Sequence, residues 1–401
     1  ARFRPRGRRG HSGMSYPSFL WKNGMRNKRR TILTVLSVSL AIFVLSTLLT
    51  LVHEIDRNLE ESNPLRLVTR HAVSPTNMLP LRHRARIEQI PGVVAVTPFT
   101  WFGGIYIDEA HTDFAQFACD PRVLFDIYTE IHLPPEQRRA FVRERTAVIV
   151  GRRKAKEHGW TLGDRITLRG TVFPVDLELT VRGIFTGSVN DESSIFFHHE
   201  YFEQALKDTM GWPAFTAMYW LRVDSISSVS RVSQAIDTLF RNTDAPTKTE
   251  TERAFQAEFF TMLGNLKTLV ATLSGVILFT LLLVTTNTMA MSVRERTREI
   301  AIMKSLGFRR REVLALFIAE GVLMTLTGGL IGSLVARLIF THFALVDVGR
   351  LTLNIFQRFE VTGEVIGLGL LASALVGLLS TVIPASRAAR LTVADGLRHL
   401  G

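Results

Sequence analysis

The residues of this 401-residue chain that come nearest to a catalytic arrangement are His198, His199 and Glu200. A His-Glu pair opens the helix of a zinc protease, where a second His one turn later completes the metal site and the Glu serves as base. Here position 203 is Glu, so that second ligand is missing, and His198 and His199 read as exposed loop residues. The single cysteine, Cys119, excludes an intrachain disulfide and has no evident base partner in sequence, so it reads as a small packed side chain. No G-x-S-x-G elbow occurs. Asp164 and Asp176 stand beside strand-like runs, where capping of turns accounts for them. No G-x-x-x-x-G-K-[ST] loop is present to cradle phosphates, so any ATP must be hydrolysed elsewhere. The residues offer no catalytic constellation, no metal site and no cofactor.

Charge chemistry is concentrated in Val293 to Arg311, VRERTREIAIMKSLGFRRR. Arg294, Arg296 and Arg298 lie at helical neighbour spacing from Glu295 and Glu299, and Ile300, Met303 and Leu306 form an apolar stripe. Gly307 supplies the left-handed residue that ends a helix. The pattern predicts about three turns lying flat on a membrane surface, with Arg309, Arg310 and Arg311 in water beside acidic head groups. The alternative is an ordinary basic loop between two apolar runs.

The elements that must hold this segment are the runs around it. A hydrophobic fraction of 46% is ordinary, but the apolar residues are unevenly spread. Thr31–Val52, Leu269–Val293, Val313 to about Phe340 and Val365–Ala385 are each long enough to cross a hydrocarbon core, for which roughly 20 helical residues suffice. The net charge of +12 would suit a nucleic-acid binder, but ten basic residues and no acidic ones fall within the first thirty positions. That placement marks the cytoplasmic flank of a first membrane helix and excludes nucleic acid as the expected partner. Ser18–Arg30 reads as an amphipathic lead-in, with Phe19, Leu20 and Trp21 at the interface.

Between the first and second runs the composition is that of a soluble domain of mixed α and β. Ile87–Val96 reads as a helix end, a Pro-Gly turn and a strand. Ala147–Val150, Arg165–Leu168 and Leu177–Phe185 read as strands; Glu200–Lys207 and Ser227–Arg241 read as helices. The second of these helices packs through Val229, Val232, Ile236 and Leu239. Glu320 inside the third run calls for a partner on a neighbouring helix or at the interface, since a lone charge there is costly. Gly328 and Gly332, then Gly369, Ser373 and Gly377, make small faces where helices approach closely. The sequence leaves open whether those faces pack within one chain or pair two.

The fold class expected is therefore a multi-pass membrane protein with four transmembrane helices and a large extracytoplasmic α+β domain inserted between the first two. The boundaries are a basic cytoplasmic segment at 1–30, a first helix at 31–54, the external domain at 55–262 and a second helix at 263–293. A cytoplasmic charged helix at 294–311, a third helix at 312–340, an external loop at 341–361, a fourth helix at 362–386 and a cytoplasmic tail at 387–401 follow. Arg387, Arg390 and Arg398 place the last end on the inner side.

The run VRERTREIAIMKSLGFRRREVLALFIAEGVLMTLTGGLIG resembles the signature of the FtsX/MacB-type permeases of ABC transporters, in which a REI-x-I-x-K-x-LG helix leads into a helix with an early Glu and a later Gly-Gly-x-x-Gly. The matching positions are Arg298, Glu299, Ile300, Ile302, Lys304, Leu306, Gly307, Glu320, Gly328, Gly329 and Gly332. Pro384–Leu400 is similar to the family's closing motif and departs from it at Val393 and Gly396. The resemblance implies a permease subunit in the bacterial inner membrane, with both termini cytoplasmic, that works as a dimer with a second permease chain, identical or not. It also implies a separate ABC ATPase subunit as partner. A periplasmic adaptor or membrane-fusion protein is a further candidate. The coupling helix that docks on the ATPase would be Glu295, Arg296, Arg298, Glu299, Ile300, Met303, Lys304, Leu306 and Gly307, with Glu320, Gly328 and Gly332 as structural residues inside the membrane. The expected function is export or lipoprotein and lipid handling; the alternative is mechanical signalling to a periplasmic partner such as a cell-wall hydrolase. The chain itself is not expected to be an enzyme.

Overall fold

The computed structural model describes residues 28–60, 62–107, 114–187, 192–262, 265–342 and 359–390. The expectations for the basic N-terminal segment before Lys28, the external loop over 343–358 and the closing motif beyond Arg390 lie outside the described residues. The described residues divide into two compact units: a helical one with residues 28–52, 267–342 and 360–390, and a sheet unit with residues 53–266 and 359.

Helix α1 (Lys28–Glu60) leads into the sheet unit. There follow β1 (Arg66–His71), β2 (Leu79–Pro80), α2 (His83–Glu88), β3 (Val93–Trp101), β4 (Ile105–Tyr106), β5 (Ala115–Cys119), α3 (Leu124–Ile127) and α4 (Pro135–Arg143). Next come β6 (Ala147–Gly151), α5 (Arg152–His158), β7 (Arg165–Arg169), β8 (Leu177–Phe185), β9 (Ser194–His198) and α6 (His199–Met210). The unit closes with β10 (Phe215–Thr216), β11 (Met218–Val223), α7 (Ile226–Phe240), β12 (Thr247–Thr251) and α8 (Glu252–Met262).

Ten strands make one sheet in the order β12-β1-β11-β3-β5-β9-β6-β8-β7-β4, and β2 pairs with β10 in a separate ribbon. The β5–β9 and β6–β8 pairs are parallel and the rest of the sheet is antiparallel, so it is mixed. The central strands β6 and β9 are buried at every residue, as strands covered on both faces must be. In β8 the alternation survives: Leu177, Leu179, Val181 and Phe185 point into the core. The Pro-Gly turn before β3 is built on Gly92 at φ +101°, a left-handed value that glycine adopts without strain. Helix α7 buries Val232, Ile236 and Phe240 against Leu67, Val96, Tyr219 and Leu221.

The reading of His198 and His199 as exposed loop residues is corrected. His198 ends β9 and His199 starts α6, and both are buried. The His198 Nε2 lies 2.6 Å from the Phe141 carbonyl oxygen, and its ring meets the Phe141 ring edge-on at 5.3 Å. The His199 ring packs edge-on against buried Phe202 at 5.9 Å, so aromatic neighbours from α4 and α6 cover both imidazoles. Asp164 accepts hydrogen bonds from the Thr161 backbone N–H at 2.7 Å and hydroxyl at 2.9 Å, and Asp176 accepts from the Gly170 N–H at 3.1 Å. Cys119 is fully buried, and burial, with Asp120 beside it, pushes its thiol well up from the usual range.

The strands at which the chain joins and leaves the sheet are paired with each other, Leu67 opposite Thr251. Buried Arg66 ties them: it donates to Glu252 at 3.1 Å, to the Ile127 carbonyl at 3.2 Å and to Glu130. Arg70 reaches Glu250 at 3.0 Å and Glu258, on α8, at 2.7 Å. The Lys248 and Arg70 hydrogen bonds hold the Glu258 carboxyl down at about 2.

In the helical unit, α9 (Leu266–Glu295), α10 (Thr297–Ser305), α11 (Arg310–Arg337) and α12 (Gly363–Arg390) follow. With α1 there are, among the described residues, four helices long and apolar enough to cross a membrane. Gly328 and Gly332 face α1: a Cβ on the first would meet Val38 at 2.7 Å, and on the second the Ser39 carbonyl oxygen at 2.3 Å. Gly321 and Gly329 face Thr381 and Ser373 of α12, while Gly377 faces Thr325 of α11. The small faces are therefore filled within this chain.

Candidate functional site

Helix α9 runs to Glu295 and stops at one residue, Arg296, whose φ of −106° and ψ of 14° leave the helical region. Helix α10 then runs to Ser305. It ends as its sequence demands: Gly307 takes φ +94°, its N–H bonds the Lys304 carbonyl at 3.1 Å, and the Phe308 N–H bonds the Met303 carbonyl at 3.1 Å. Two residues on, the Arg309 N–H donates to the Glu312 carboxylate at 2.8 Å and opens α11. The chain therefore reverses in a few residues, and α10 folds back along the start of α11 as a helical hairpin.

What holds the hairpin is one apolar cluster and two polar ties. Val293, Ile300 and Met303 pack with Val313 and Phe317 of α11 and Ala385 and Ala388 of α12. At one end of α10 the buried Arg296 donates from Nη1 to Glu320 Oε2 at 2.6 Å; its Nε lies 3.8 Å from Glu299 Oε2. At the other end Lys304 donates to the Ala389 carbonyl, one of the last in α12, at 2.7 Å. Burial, with Arg310 adding like charge, holds the Lys304 ammonium below the usual lysine value. Beside the break, Arg30 of α1 donates to Glu295 at 2.5 Å and to Ser292 at 3.0 Å.

The outer face is different. Arg294, Arg298, Ile302, Ser305, Leu306, Phe308, Arg309, Arg310 and Arg311 are exposed. The stripe of Ile300, Met303 and Leu306 expected from the sequence is thus corrected: Ile300 is 0% exposed and Leu306 74%. The inward face is taken by protein, and the outward apolar residues are Ile302, Leu306 and Phe308. Among the residues singled out in sequence, Arg296, Ile300, Met303 and Lys304 turn inward, Glu299 is half-buried, and Glu295, Arg298, Leu306 and Gly307 are exposed. Sequence reasoning missed Arg30 and the Ala389 carbonyl, for which no local spacing gives a signal. For Glu320 the cost of a charge in an apolar run announced a partner without naming it. Among the described residues no group of three potential metal ligands gathers. Helix α10 is a short rod with one face anchored and one face exposed among the described residues.

Residues 31–239 match the family described as MacB-like periplasmic core domain, over half of the chain, and residues 271–393 match FtsX-like permease C-terminal. An uncharacterised ABC transporter permease of Methanocaldococcus jannaschii is 24% identical over 398 residues, covering 95% of this chain and 97% of that one. The macrolide export ATP-binding/permease protein MacB of a Shewanella species is 38% identical over 111 residues, which is 28% of this chain and 16% of that relative. The periplasmic region of MacB from Actinobacillus actinomycetemcomitans superposes with a TM-score of 0.37 at 10% identity, covering 53% of this chain and 98% of that one.

Proposed function

We propose that this chain, which belongs to the FtsX/MacB-type family of ABC transporter permeases, couples ATP hydrolysis on a separate ATPase subunit to movement of its sheet domain on the far side of the inner membrane. Its work is export, or lipid and lipoprotein handling. The name of the Shewanella relative, which joins export to an ATP-binding part, supports the transport reading. In this reading both termini and α10 are cytoplasmic, the sheet unit is periplasmic, and a second permease chain completes the assembly.

The observation that carries the reading is the division of α10 into two faces. Ile302 of α10, with Leu306 and Phe308 of the turn after it, is apolar yet exposed, and Arg298, Arg309, Arg310 and Arg311 beside them in the chain are exposed as well. Such a face fits an apolar groove with an acidic rim, as the docking partner would supply. Its inward residues bind α11 and α12, so a push received outside reaches two spanning helices at once. The test is capture of the ATPase from membranes by tagged full-length chain. Leu306→Asp or Ile302→Asp should weaken capture about thirtyfold, a central-contact cost on the order of 2 kcal/mol, while membrane insertion stays normal. Undiminished capture by both variants would remove the docking role.

A further inference from the structure

We infer that the buried Arg296–Glu320 pair is the pin that fixes the angle at which α10 is set between α9 and α11, which makes Arg296 a positioning residue for coupling; its importance for function rests on the coupling reading above, but the pin does not. Arg296 is the one residue between the last of α9 and the first of α10, at a backbone conformation neither helix shares. The residues on either side of it are not buried, while its own side chain is only 10% exposed and Glu320 is 4% exposed. Glu320 lies ten residues beyond the start of α11, about 15 Å along the helix axis. A carboxylate left alone there is costly, and the guanidinium that satisfies it comes from the break itself.

An apolar pair of similar volume would serve packing as well or better, so an ion pair at this point is best explained by the register it enforces. The turn at Gly307 joins the far end of α10 to the start of α11, and Arg296–Glu320 closes the third side, so α10 cannot open away from α11 about that turn without separating Arg296 from Glu320 or drawing α11 with it. At the far end, Lys304 on the Ala389 carbonyl ties the same helix to α12. With both ends fixed, force on the outward face displaces α11 and α12 and does not pivot α10 about the break.

The test uses the full chain in lipid nanodiscs without any ATPase, with spin labels at Asn287→Cys and Ser305→Cys, two exposed positions that bracket the break; buried Cys119 stays in place. A narrow distance distribution is expected for the native pair. Arg296→Gln and Glu320→Gln should each broaden it, and the exchange Arg296→Glu with Glu320→Arg should narrow it again. Unchanged distributions in both single variants, or an exchange as broad as they are, would overturn the inference. If neither single variant inserts, the exchange decides alone: insertion with a narrow distribution supports the pin, and failure overturns it. A second arm adds the ATPase. Glu320→Gln, with its docking face intact, should still capture the ATPase but lose about tenfold in stimulated hydrolysis, the scale of a typical coupling between sites. Full stimulation despite a broadened distance would overturn the positioning role. Absence of capture by the native chain would count against the coupling reading and leave the distance result standing.

Discussion

At the scale of single residues, the sheet unit carries its own acid sensitivity. Burial lowers both His83 and His199 to about 4, with Arg82 and Arg86 adding to the first and Arg84 to the second. Both stay neutral in the folded unit, while the unfolded chain takes up protons from about pH 6.5 downward. Stability is therefore complete above about pH 6.5 and falls as pH drops towards 4, by up to about 3 kcal/mol for His199. Thermal unfolding of the full chain between pH 7.5 and 4.5 should show this decline, and His199→Gln should flatten it. An equal slope in the variant would refute the assignment. The histidines also show where residue-level reading from sequence fails. His-Glu spacing dismissed a metal site, but burial depends on where β9 ends, and that is set by strands distant in sequence. The same holds for Arg296 and Glu320: each charge was legible, whereas their meeting needed the turn at Gly307 to fold one helix along the other.

At the scale of elements, glycine spacing was legible as a close-approach signal and its target was not. Gly328 and Gly332 admit α1, and the backbone of α1 comes within 2.3 Å of where a Cβ on Gly332 would stand. Gly332→Leu should cost about 1–3 kcal/mol by overpacking and separate α1 from α11. Ser46 and Ser333 lie 3.3 Å apart across the same contact, and cross-linking of cysteines placed there should then fall; unchanged cross-linking would show that the stripe serves another contact. The long helices and the strands β6, β7 and β8 were legible because their hydrophobic patterns are strong and local. Strand order was not: β1 and β12 are far apart in sequence yet pair at one edge of the sheet, and no local pattern encodes that. Their pairing matters mechanically, since β1 follows α1 and β12 continues through α8 to α9. Arg66 on Glu252 and Arg70 on Glu258 stiffen the place where both connections join the sheet.

At the scale of the whole molecule, the chain forms two units of different chemistry, with α1 leading into β1 and α8 into α9, and the uneven spread of apolar residues makes both legible in the sequence. In the proposed function α10 and the sheet lie on opposite sides of a membrane, and the helices between them carry the movement. The most direct test of that function is sidedness in intact right-side-out cells. A membrane-impermeant thiol reagent should label Val172→Cys, exposed on the sheet unit, and should leave Leu306→Cys untouched until the membrane is opened. Labelling of both positions from the outside, or of neither, would contradict it.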